Sequence, residues 1–156
     1  MPTILKRARA GKLVQVGDGT NLVDLTFIDD CVEAHLLAAA ALNDDPAVGG
    51  RPFFISQGTP VLLWEWIGRV LALHNVPPVR RRIPAVAARL LATMAEAAWW
   101  TCGLASDPPL TRFLTEEMST DHYFDIGAAR RELGYSPSCT VWEATERSFV
   151  PPLTDR

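Results

Sequence analysis

The sequence has no basic excess: 15 Lys and Arg side chains stand against 18 Asp and Glu, a formal net charge of -3. A dedicated nucleic-acid binder normally carries a strong positive surplus, so nucleic acid is not an expected partner. Cysteine is scarce. Cys31, Cys102 and Cys139 are odd in number and far apart in sequence, which excludes a disulfide framework and a metal site. They read as buried thiols in a reducing cytoplasm, the expected location. The opening MPTILKRARAGK is basic, but no apolar run follows it, so it is not a signal peptide. Uninterrupted apolar stretches of membrane-spanning length are missing too. Ala85 to Leu104 has the length of a membrane span, yet Arg89 and Glu96 interrupt it, and both are costly in a bilayer core. A buried or surface-docked amphipathic helix is expected there, and no spanning segment.

What is present is the balance of a globular domain. Of 156 residues, 48% are hydrophobic and 21% charged, outside the range of disordered tails. The length suits one domain, or one domain plus part of another. Such a chain buries roughly two-thirds of its unfolded surface, enough for a core.

Local patterns predict the elements. Lys12 to Gly19 reads as a short strand ending in a Gly-Asp-Gly turn, with Val14 and Val16 on one face. Leu22 to Ile28 reads as the returning strand of a hairpin. Asp29 and Asp30 then stand where a carboxylate caps the helix that follows, which should stop near Asn43. Pro52 to Ser56, PFFIS, has the composition of a central parallel strand covered on both faces. Leu63, Trp66, Ile67, Val70 and Leu71 recur at helical spacing. The segment VPPVRRRIP is a linker, and Pro84 suits the first turn of a helix running to about Cys102. A short helix is expected over Arg112 to Met118, and another in IGAARRELGY, stopped by Gly134. Thr140 with Glu143 forms a capping-box pattern before the last helix.

No catalytic set emerges. His35, His74 and His122 lack metal-ligand spacing, and no nucleophile elbow or Cys–His pattern is present. Gly17 and Gly19 suggest a phosphate cradle, but Leu22 takes the third glycine's place. The motif also sits between two predicted strands, where a dinucleotide cradle requires a strand-to-helix step. A hairpin turn is the better reading. No catalytic, cofactor-binding or metal residue is therefore assigned.

Several segments follow in a particular order: GDGTNLVDLTFIDDCVEAHLLAAAAL, GRPFFISQGTPVLLWEWIGRVL, then YFDIGAARRELGYSP with TVWEA. That order, from about Ala8 to Ala144, resembles the C-terminal half of the extended short-chain dehydrogenase/reductases. The nearest branch is the 3-beta-hydroxysteroid dehydrogenase/isomerase family, with its sterol dehydrogenases and bacterial reductases of long-chain beta-keto acids. The resemblance implies an α/β fold, α+β in this stretch alone: mostly helical, with a short hairpin and the last Rossmann strand at Pro52–Ser56. It implies one substrate-binding region over residues 1–156, with the Rossmann half that holds NAD or NADP absent. It also implies an oxidoreductase of steroid or lipid metabolism.

In that family a Tyr, followed four residues later by a Lys, performs the proton chemistry of hydride transfer. The nearby positive charge lowers the tyrosine's pKa. Here the only lysines, Lys6 and Lys12, precede every tyrosine. Gly127 follows Tyr123 at that spacing, and Cys139 follows Tyr135. The expectation is an uncertain enzyme: a substrate-binding part that is inactive alone and binds no nucleotide by itself. A non-catalytic, self-associating or partner-binding module is the alternative. The expected partners are an apolar small molecule, a separate Rossmann half, and further copies of the chain.

The resemblance also implies site residues. Asp24 lies in the family's strand-to-helix step, where both an architectural and a substrate role are open. Members acting on sugar nucleotides commonly carry Arg immediately before this Asp; here it is Val23. An apolar side chain cannot pair with a diphosphate, which favours an apolar substrate. Ala128 stands where members often carry Lys, with no function attached. Met94, Trp99 and Trp100 lie on the helix that roofs the substrate pocket in this branch. They read either as a core or interface stripe or as a wall for a steroid or long acyl chain.

Overall fold

The computed structural model describes residues 2–106, 108 and 110–149. In chain order the elements are α1 (Pro2–Arg9), β1 (Gln15–Val16), β2 (Leu22–Val23), α2 (Ile28–Asp44), β3 (Val61–Leu62), α3 (Leu63–Leu73), β4 (Arg82–Ile83), α4 (Ala85–Thr101), α5 (Arg112–Glu117) and α6 (Val141–Phe149). Two single helical turns, Pro46–Val48 and Ala129–Leu133, supplement them. The chain divides into two compact units. The first holds the residues up to Leu22 with Leu62–His122, and the second holds Val23–Val61 with the residues from Tyr123 on.

The first unit is built on α3. Leu63, Trp66, Ile67, Val70 and Leu71 are all buried, as their three- and four-residue spacing requires. Helix α4 rests on a strip of small residues: Ala88 and Ala92, one turn apart, are fully buried. Its other faces keep Val86, Leu90, Met94 and Trp100 exposed. Two ion pairs join α4 to α5. Arg89 donates two hydrogen bonds of 2.7 Å to Glu116, and Glu96 accepts from the side chain and backbone of Arg112. Those bonds hold both carboxylates below their ordinary pKa: the Arg89 side chain does so at Glu116, the Arg112 backbone N–H at Glu96. Among the described residues, no helix is long and apolar enough to cross a membrane.

The expected hairpin does not form. Strand β1 pairs in parallel with β4, Gln15 opposite Arg82 and Val16 opposite Ile83, while β2 pairs with β3. The cause lies in the Gly-Asp-Gly turn. The Gly17 N–H donates to the Ile83 carbonyl and so prolongs the β1–β4 ladder instead of reversing the chain. Gly17 and Gly19 both have positive φ, and Asp18 accepts from the Thr20 N–H and hydroxyl. A local turn signal reports that the chain bends, not which strand it then meets.

The second unit is centred on Ala34, Ile126, Ala129, Leu133 and Tyr135. The PFFIS segment packs on this cluster through Phe53 and Ile55. It alternates as an extended segment should, but it forms no strand ladder. Phe54, on the opposite face, is 53% exposed and stacks on Phe124 with ring centroids 4.1 Å apart. The segment is held by single bonds, Thr26 hydroxyl to Ile55 carbonyl and Gln57 N–H to Leu25 carbonyl.

Neither Asp29 nor Asp30 caps α2. The N-cap is Phe27, which makes no side-chain cap bond. Both carboxylates fall in the first helical turn, where the helix dipole favours negative charge. Asp30 is buried and accepts from the Gln57 side chain and the Ser138 N–H. The helix stop at Gly134, in the left-handed conformation, and the Thr140–Glu143 capping box are both found.

Candidate functional site

The first unit contains a cavity of about 670 Å³, within the span of roughly 300–1,000 Å³ usual for small-molecule sites. Several elements contribute to its lining. Helix α1 supplies Thr3, Ile4 and Arg7, which share a face because they are three or four residues apart. The stretch leading into β1 supplies Lys12, Leu13 and Val14, and β1 itself supplies Val16. Ile83 comes from β4, where it lies opposite Val16 in the ladder. Helix α5 adds Leu114, and Met118 follows one turn later at its C-cap.

This last wall is held from several sides. The Thr111 hydroxyl caps α5 by accepting from the Leu114 N–H. Buried Trp64 of α3 donates its indole N–H to the Met118 carbonyl at 3.2 Å. The Arg89–Glu116 and Glu96–Arg112 pairs fix α5 to α4. The cavity is thus an apolar hollow with three polar contributors: Thr3, Arg7 and Lys12. No acidic side chain is among its described lining residues. Another recess, about 460 Å³ in the second unit, includes Asp44, Asp45 and the Arg51–Glu132 ion pair in its lining.

The residues singled out from sequence fall elsewhere. Met94 and Trp100 are exposed on α4, and Trp99 donates its indole N–H to the Ser106 hydroxyl. None of the three lines the 670 Å³ cavity. Asp24 belongs to the second unit, where its carboxylate accepts from the Phe124 N–H at 2.9 Å. That bond gives it an architectural part, orienting the ring that stacks on Phe54. Sequence reading missed the α1 contribution. A signal was present: a basic helix end at Arg7 and Arg9, then Gly11.

The Gly17–Gly19 turn does not fit a dinucleotide cradle. Gly19 offers no open cradle, since a Cβ there would lie 2.5 Å from the Gln15 side chain. The turn leads into a strand, so no helix N-terminus faces a pyrophosphate. Tyr135 does not fit an acid–base role either. Its hydroxyl donates to the Ser56 carbonyl, and burial pushes its pKa up to about 12. Among the described residues, no group of three or more His, Cys, Asp or Glu could hold a metal ion.

The chain spans about two-fifths of the length of the curated relatives it matches. It is 39% identical over 147 residues to 2-alkyl-3-oxoalkanoate reductase of Stenotrophomonas maltophilia, covering 94% of this chain and 44% of that protein. It is 32% identical over 151 residues to the decarboxylating sterol-4-alpha-carboxylate 3-dehydrogenase of Mus musculus, covering 95% of this chain and 42% of that protein. Among solved structures, UDP-glucuronic acid 4-epimerase from Bacillus cereus, determined in complex with NAD, superposes with a TM-score of 0.56 at 17% identity. The match covers 92% of this chain and 35% of that one, and it shows the shared fold of this part. The model of the 3-beta hydroxysteroid dehydrogenase/isomerase family matches residues 1–79, half of the chain. The chain belongs to the 3-beta hydroxysteroid dehydrogenase/isomerase family.

Proposed function

We propose that this chain is the substrate-binding part of an NAD(P)-dependent oxidoreductase acting on an apolar hydroxy or keto compound of steroid, sterol or long-chain beta-keto acid type. The observation that carries this reading is the 670 Å³ cavity with its apolar walls. The names of the two relatives describe related chemistry. A 3-oxoalkanoate, and a sterol 4-carboxylate oxidised at carbon 3, both place the reacting oxygen on the carbon next to the one that bears the carboxylate. Both carry it on a large hydrocarbon body, which an apolar hollow takes out of water.

The part played here is binding. Hydride transfer is assigned to no residue of this chain, because Tyr135 is spent on Ser56 and neither tyrosine has the partner lysine. A separate Rossmann half is the corresponding partner. Met94, Trp99 and Trp100 are proposed as further apolar surface for the same substrate class. A substrate contact by Asp24 would use the carboxylate oxygen not engaged by Phe124. A cytoplasmic setting is proposed on the three free thiols.

Calorimetric titration of the chain with a 2-alkyl-3-hydroxyalkanoic acid, without nucleotide, is expected to give saturable binding at roughly 10–100 µM. With NADH or NADPH and a 3-oxo acid, the nicotinamide absorbance is expected to stay constant. Absent binding, or robust cofactor oxidation by the chain alone, overturns the reading.

One observation favours the alternative of a self-associating module. Helix α4 exposes Leu90 at 63%, Met94 at 70% and Trp100 at 85%, and contiguous exposed apolar surface drives association. On this reading, sedimentation at micromolar concentration shows dimers or larger species, and Met94→Glu with Trp100→Glu returns the chain to monomer. A wild-type chain that sediments as monomer removes it.

A further inference from the structure

We infer that Arg9, Arg80 and Arg81 form a phosphate-binding recess beside the apolar cavity of the first unit, so that a hydrocarbon ligand bearing a phosphate ester binds there in preference to the matching carboxylic acid. The recess is a feature of its own, but the seat of the hydrocarbon rests on the substrate-binding reading above.

The recess has a volume of about 400 Å³. Its arginines come from two remote stretches that the backbone brings together. Helix α1 ends just after Arg9 in a double closure. The Gly11 N–H donates to the Ala8 carbonyl at 2.9 Å, and the Lys12 N–H donates to the Arg7 carbonyl at 2.8 Å. This is the bond pair of a Schellman ending, and Gly11, at φ 65°, supplies its left-handed residue. The other stretch passes through Pro77 and Pro78, whose rings fix two φ angles. Because β1 and β4 pair in parallel, the stretches that precede them run side by side. The Gln15 N–H, donating to the Arg81 carbonyl at 2.9 Å, carries the ladder one residue upstream of β4. Leu13 from one stretch and Val79 from the other therefore meet in the recess. Leu13 also lines the 670 Å³ cavity, so one side chain is a common wall of the two hollows.

No acidic side chain is among the described residues lining the recess. Arg89 and Arg112 are engaged by Glu116 and Glu96, whereas among the described residues Arg9, Arg80 and Arg81 have no such partner. Nor does the local charge follow that of the whole chain. The first unit holds ten basic and seven acidic side chains, the second five and eleven. A guanidinium is a planar fork that grips two oxygens at once. A phosphate monoester presents three terminal oxygens and roughly two negative charges at pH 7, a carboxylate two oxygens and one charge. Three forks around one concavity therefore favour the phosphate, and the chain it carries passes Leu13 into the apolar cavity.

The test is displacement of a fluorescent fatty acid, cis-parinaric acid, from the chain. Below micelle-forming concentrations, dodecyl phosphate is expected to displace it at a concentration about tenfold lower than dodecanoate does, the usual advantage of added charge-assisted hydrogen bonds. The double variant Arg80→Ala with Arg81→Ala is expected to bring the two within about twofold, because the recess loses two of its three forks. Arg82→Ala, a neighbouring cation outside the recess lining, leaves the advantage unchanged. Arg80 and Arg81 are exposed, and the Gln15 bond uses only the Arg81 backbone, so truncation spares the fold; a far-UV circular dichroism melt of each variant verifies this. Sedimentation with vesicles of phosphatidylcholine containing phosphatidic acid separates the two sources of such a phosphate. A chain that pellets with them takes a lipid headgroup, and one that stays in the supernatant takes a soluble phosphate ester. Equal displacement by ester and acid, or an advantage that survives the double variant, overturns the recess but leaves the apolar site standing. Displacement by neither overturns both.

Discussion

Replacing Gln57 with alanine is expected to lower the stability of the second unit by about 3 kcal/mol. The side chain is 5% exposed and makes three hydrogen bonds. Its carbonyl oxygen accepts from the Phe27 N–H, and its amide nitrogen donates to Asp30 and to the Cys139 carbonyl. Truncation leaves the Asp30 carboxylate buried with one donor fewer, which costs more than the bond itself gained. Urea denaturation followed by far-UV circular dichroism measures the loss. A change below about 0.5 kcal/mol, the range of ordinary surface substitutions, would show that water replaces the amide freely.

The same network sets a pH dependence. Burial works against ionisation of Asp30, but the bonds from Ser138 and Gln57 outweigh it and hold its pKa below the ordinary carboxylate value. A group whose folded pKa is depressed stabilises the fold above its unfolded pKa of about 3.9, and that contribution disappears as pH falls through the folded value. The denaturation midpoint of the wild type should therefore drop below about pH 4. Asp30→Asn should start lower and fall less steeply.

The second large effect is expected in the other unit. Leu71→Ala should cost about 3 to 4 kcal/mol, because the side chain is 1% exposed and its removal leaves a void that α3 cannot close. The same substitution at Leu90, 63% exposed on α4, should change stability by no more than about 0.5 kcal/mol. Chemical denaturation of both variants separates them. Equal losses would mean that α4 is covered by another molecule under the conditions used.

These contrasts mark what sequence reading captures. The α3 stripe was legible because its period, 3.6 residues, is written in Leu63 to Leu71 and needs no knowledge of the partner surface. The Thr140–Glu143 box and the Gly134 stop were legible because cap and helix lie within a few residues. Strand pairing was not. The partner of Val16 is Ile83, and nothing near Val16 specifies it. The PFFIS composition points to a strand covered on both faces, but the segment joins no ladder and leaves Phe54 open, because composition carries no information on what lies across it. The Asp30 role was hidden for the same reason. Its position suggests a cap on its own helix, but its partners Gln57 and Ser138 come from remote loops. The cavity was half legible: Val14 and Val16 sharing a face was foreseen, and the α1 residues opposite them were not.

The chain passes between its two units after Leu22, after Val61 and after His122. This threading bears on how the segment can be inherited. A recombination point anywhere between Val23 and His122 splits both units at once, so neither travels as a cassette. Recovering the cavity-bearing unit as one polypeptide would require splicing Leu22 directly to Leu62, and recovering the other would require joining Val61 to Tyr123.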